Sequence, residues 1–103
     1  MKYEVKIPRK LKIGGFDFSV NISPCTDKEL ECADLYGQVN ERKQIIRIGS
    51  SDTPQRISEC FMHEVFHATN GIFAGGKIDE AQVKATVAGF HQVMEQLGIR
   101  FVR

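Results

Sequence analysis

The sequence predicts an α+β domain, with a small antiparallel or mixed sheet from the N-terminal half packed on two C-terminal helices. Three observations predict it. Apolar residues alternate singly through most of the stretch to Ile48, as half-buried strands require. From Thr53 onward the apolar period changes to that of a helix. The strands come first and the helices after, which argues against an alternating parallel sheet. A length of 103 residues, 42% hydrophobic and 26% charged, suits one domain over residues 1–103 with one modest core.

Taken in order, Tyr3 to Ile7 alternates and Leu11 to Ile13 leads into Gly14-Gly15. Phe16, Phe18, Val20 and Ile22 then alternate again, so the glycine pair reads as a hairpin turn. Ser23-Pro24 ends that strand. Residues 26–35 are polar around Leu30, Ala33 and Leu35, and suit a short helix or an ordered loop equally. Tyr36 to Val39 and Gln44 to Ile48 read as a second hairpin, closed by Asn40-Glu41-Arg42-Lys43.

Thr53-Pro54 is a helix start, with threonine as N-cap and proline at the first helical position. Gly71, after Asn70, is expected to stop that helix. Ile57, Phe61, Val65 and Ala68 form one apolar stripe, while Met62 and Phe66 add a second surface. A helix apolar on more than one side belongs at the centre of a fold. The second helix begins near Asp79, where Asp79 and Gln82 have capping-box spacing and Ile78 and Val83 the spacing of a hydrophobic staple. Val83, Val87, Phe90, Met94 and Leu97 then follow a helical period, and Gly98 ends the run. Ile99 to Val102 either pairs as a short strand or simply packs.

Charge and cysteine content narrow the function classes. The formal net charge is +1 and no basic block stands out, so nucleic acid is not an implied partner. Lys2, Lys6, Arg9, Lys10 and Lys12 interleave with Val5, Ile7, Leu11 and Ile13, which reads as a solvated strand face. Cys25, Cys32 and Cys60 are odd in number and lack paired metal-type spacing. No signal-type apolar run opens the chain and no stretch approaches membrane-spanning length. The reading is a cytoplasmic protein with reduced thiols and no membrane partner. Cys60, in an apolar helix segment, reads as a buried structural residue.

The chemistry lies in His63-Glu64-Val65-Phe66-His67. Helical positions four apart share a face, so both imidazoles can reach one metal ion. Glu64 borders that face, placed to take a proton from a metal-bound water rather than to bind the metal. This is the His-Glu-x-x-His signature of zinc-dependent peptidases. A catalytic zinc takes three protein ligands and keeps a fourth position for water. The metzincin arrangement needs a glycine and a further histidine where this chain has Asn70 and Phe73, so that class is excluded. The remaining solution is a carboxylate from the following helix, and Asp79 and Glu80 are the candidates. Glu80 falls at the inward edge of the helix stripe and is preferred. Asp79 suits the N-cap better and stands as the fallback.

Leu35 to Val39, Ile45 to Ile48, Phe61 to Ala68 and Asp79-Glu80 together resemble small phage- and prophage-type metallopeptidases, similar to minimal gluzincins. The resemblance covers about Tyr36 to Leu97, and its one specific element is the zincin helix. It implies a zincin-like fold, one Zn2+ per chain on His63, His67 and Glu80, Glu64 as general base, and a peptide or protein substrate. Such enzymes hold substrate extended along an edge strand, for which Gln44 to Ile48 is the candidate. Tyr36 and His91 are the candidate oxyanion donors. The alternative is a zincin-shaped metal-binding or regulatory module of a mobile element, without general proteolytic turnover.

Overall fold

The computed structural model describes residues 2–32 and 37–103. Strands β1 (Tyr3–Lys6), β2 (Lys10–Ile13) and β3 (Phe16–Asn21) lead into helix α1 (Pro24–Cys32). Strands β4 (Gly37–Asn40) and β5 (Ile45–Ile48) follow, then α2 (Pro54–Phe73), α3 (Glu80–Gln96) and β6 (Ile99–Val102). The fold is α+β, and its main sheet is mixed.

The glycine turn forms as expected. Ile13 pairs with Phe16 across it, and Gly14 and Gly15 both have positive φ, 58° and 85°. That conformation costs a side-chain-bearing residue strain and costs glycine little. The main sheet runs β2-β3-β5-β4, antiparallel except for β3 and β5, which are parallel across the crossover that contains α1. The stretch open to either reading at residues 26–35 is helical as far as Cys32.

β1 and β6 form a separate two-stranded parallel ribbon, with Tyr3 opposite Ile99 and Val5 opposite Phe101. The expected short strand at Ile99–Val102 therefore pairs with the start of the chain. Phe101 on β6 turns inward and meets the edge of Phe61 at 5.0 Å between ring centroids.

Phe18 and Val20 of β3, Ile46 and Ile48 of β5, and Ile57, Phe61 and Ala68 of α2 make the core. α2 enters this core through its Ile57, Phe61 and Ala68 stripe, with Val65 partly buried against it, while Met62 and Phe66 are half-buried and stand outside the cluster. No helix among the described residues is long and apolar enough to cross a membrane.

Two expectations about the helices are corrected. Gly71 does not stop α2, which continues to Phe73. A Cβ at Gly71 would lie 1.7 Å from the Glu41 carboxylate, so this glycine admits a side chain from the β4–β5 turn. The positive-φ residues that follow the helix are Gly75 and Gly76.

On α3, Val83, Val87 and His91 are buried while Phe90 and Leu97 are exposed. The buried face is therefore the i, i+4, i+8 row, not the row through Phe90 and Leu97. His91 shares a 3.0 Å hydrogen bond with the fully buried Ser58 hydroxyl of α2. The same oxygen accepts the Phe101 N–H at 3.0 Å, so one polar contact ties α2, α3 and β6. Leaving these buried groups unpaired would cost more than exposing Phe90 does.

Candidate metal centre

The site begins with the caps that set the phase of each helix. Thr53 accepts the Arg56 N–H at 3.3 Å and Pro54 occupies the first turn of α2. With that start, His63 and His67 face the same side. Their Nε2 atoms are 3.0 Å apart and the rings meet edge to face. On α3 the Asp79 carboxylate accepts the Gln82 N–H at 2.8 Å, and the Gln82 side chain accepts the Asp79 N–H in return. Asp79 is consumed by this capping box, as its spacing suggested.

Glu80, the first residue of α3, is left to reach across. Its Oε1 lies 3.2 Å from His63 Nε2 and its Oε2 2.8 Å from His67 Nε2. His63, His67 and Glu80 are a group whose ligand atoms all lie within 4.8 Å of one another. Four bonds of about 2.0–2.1 Å in a tetrahedron set neighbouring ligand atoms about 3.3–3.4 Å apart. The two imidazole nitrogens are 3.0 Å apart and each lies within 3.2 Å of an oxygen of the one carboxylate, close enough for all three side chains to share a single divalent ion. Stability alone is a poor reason for the cluster. The Glu80 side chain is 66% exposed, and an exposed carboxylate–imidazole pair contributes little.

Glu64 occupies a different environment. It is 7% exposed, and burial first, then the charge of Glu80, pushes its pKa up to about 7. β4 closes over it. A Cβ built on Gly37 would stand 2.5 Å from Cys60 Sγ and 2.9 Å from Glu64 Oε2. The absence of a side chain at position 37 is what lets the strand lie on the carboxyl group. Gly37→Ala is expected to cost about 1–3 kcal/mol by overpacking, read as a lower midpoint in denaturant.

A cleft of about 830 Å3 opens over these groups, lined by Gly37, Gln38 and Val39 on one side and by His63, Glu64, His67 and Glu80 on the other. Protein-family models, curated proteins and solved structures were compared with the chain, and none matches. The functional reading therefore rests on this geometry and on the motif.

The strand beside the cleft is β4, not the expected Gln44 to Ile48. β5 is paired on both sides, parallel to β3 and antiparallel to β4, so its backbone groups are already committed. His91 is held in the Ser58 contact and does not line the cleft. Tyr36 lies outside the described residues. Cys60 lines the cleft, half-buried, and its thiol is no member of the ligand group. Burial, followed by the charge of Glu64, pushes that thiol up to about 12, which keeps it protonated in the metal-free protein. Gly37 belongs to no local sequence pattern that would mark it as a site residue.

Proposed function

We propose that the chain is a zinc-dependent peptidase, with His63, His67 and Glu80 holding one zinc ion and Glu64 acting as general base. The observation that carries this reading is the convergence of three ligand atoms beside one buried, unspent carboxyl group on the wall of an open cleft. Two nitrogens and one carboxylate oxygen suit zinc. Zinc in such a site supplies Lewis acidity, to a bound water and to the scissile carbonyl.

Glu64 takes the proton of the attacking water at its carboxylate and returns it to the leaving amine. Its position one residue from His63 keeps it out of the ligand group while it lines the same cleft. Gln38 and Val39 of β4 line the cleft and offer backbone groups along which an extended peptide can add as a further strand. The cleft volume is ample for a few residues of substrate.

The test is to load the purified protein with zinc, count the metal per chain, and incubate it with an unstructured polypeptide. One zinc per chain and new amino termini that vanish with chelator are the expected result. One zinc with no cleavage would favour the metal-binding module instead. A folded protein that takes up no zinc would end both readings.

A further inference from the structure

Glu80 is a ligand with little to hold it in place. Among the described residues its exposed carboxylate contacts only the two imidazoles it would share a metal with. It stands at the first position of α3, after a connection containing Gly75 and Gly76, both with positive φ. Glycines impose no backbone preference of their own, so this connection cannot by itself decide where α3 begins. The Ser58–His91 contact fixes the helices at the opposite end of α3, far from Glu80.

What does hold the start of α3 is one buried side chain of α2. Asn70 is 8% exposed. Its Nδ2 donates to the Ile78 carbonyl at 2.9 Å, and its Oδ1 accepts the Ile78 N–H at 3.2 Å. A primary amide is the side chain that can satisfy both groups of one backbone residue at once. The main-chain carbonyl of Asn70 also accepts the Ala74 and Gly76 N–H groups, each at 3.0 Å. The whole connection is therefore folded around residue 70. Asn70 follows His67 by less than one helical turn, and Ile78 precedes Glu80 by two residues. The path from the second histidine to the carboxylate runs through this amide, and the Asp79 capping box then starts the helix at once.

We infer that Asn70 is a positioning residue for the metal centre, setting Glu80 over the histidine pair by clamping Ile78. The inference rests on the metal-site reading above. It explains a buried asparagine that α2 does not need as a helix former, since asparagine is a weak one. Groups that orient a ligand from behind commonly matter nearly as much as the ligand itself.

The experiment is a double-mutant cycle on zinc affinity, by competition with a chromophoric chelator, on wild type, Asn70→Ala, Glu80→Ala and the double variant. Asn70→Ala is expected to weaken zinc binding about 10–100-fold. In the Glu80→Ala background the same change should alter affinity less than about twofold, because no carboxylate remains to be placed. Wild-type affinity in Asn70→Ala, or an equal loss in both backgrounds, would overturn the inference. Asn70→Asp is the second variant, should Asn70→Ala fail to fold. It keeps the acceptor for the Ile78 N–H and loses the donor, and a loss of about tenfold confined to the Glu80-containing background is expected. An Asn70→Asp protein that is unfolded without metal would place the residue in general stability and overturn the inference too. Failure of the wild type to bind zinc would instead remove the site reading.

Discussion

Glu64→Gln is expected to abolish hydrolysis while leaving zinc bound at one ion per chain, with turnover falling about 10²–10⁴-fold as the proton acceptor is lost. The same substitution should make the metal-free protein more stable at alkaline pH. Burial raises the Glu64 pKa from an ordinary 4.5 to about 7, so folding opposes the ionised form. The penalty is absent below about pH 4.5, grows between there and pH 7, and is constant above. A neutral glutamine escapes it. The expected gain above pH 7 is on the order of 1–3 kcal/mol, measured by urea denaturation of chelator-treated protein at pH 5 and pH 8. A bound dication would counter the effect by favouring the carboxylate, so the comparison belongs to the metal-free state. A gain in stability with a loss of turnover is the mark of a group kept for chemistry. An active Glu64→Gln enzyme would remove the mechanism.

Removing the metal is expected to have the other large effect. A ligand at a thousand times its dissociation constant stabilises the fold by about 4 kcal/mol. For a domain of this size that corresponds to a melting shift of roughly 15–30 °C. Chelation should lower the melting temperature of the wild type accordingly and leave His67→Ala unmoved, since two ligands no longer hold zinc tightly. Glu80→Ala should behave like His67→Ala. Asp79→Ala should keep its zinc and lose only about 1 kcal/mol through the missing cap. Calorimetry on the four proteins, with and without chelator, separates these outcomes. A reversed ranking of Asp79 and Glu80 would move the third ligand to Asp79.

Much of the site was legible along the chain because its signals are local. His63 and His67 share a face wherever a helix runs through them, and the Thr53-Pro54 start places that helix. Asp79 and Gln82 declare a capping box four residues long, which leaves Glu80 as the free carboxylate. Gly14-Gly15 declares its own turn. Each of these depends on atoms within about one turn of helix or one hairpin loop, so the residues involved carry the information themselves.

Other features were decided by residues distant in sequence. The periodicity of α3 permits more than one buried row, and it was Ser58, 33 residues from His91, that turned His91 inward and left Phe90 at the surface. A strand sequence says that its backbone seeks partners but not how many it finds. Pairing on both sides of β5 made β4 the wall of the cleft. Gly71 read as a helix stop until the Glu41 side chain came to rest on it. A glycine at position 37 matters only because the Cys60 thiol and the Glu64 carboxyl occupy the space a Cβ would take there. By itself, then, the sequence determined where the two C-terminal helices start, the first hairpin and which residues make up the candidate ligand group, through periodicity and capping that act over a few residues. Tertiary structure alone decided which strand faces the site, what covers Glu64 and what clamps Ile78, because packing and hydrogen-bond satisfaction are settled between groups that meet only in the folded chain.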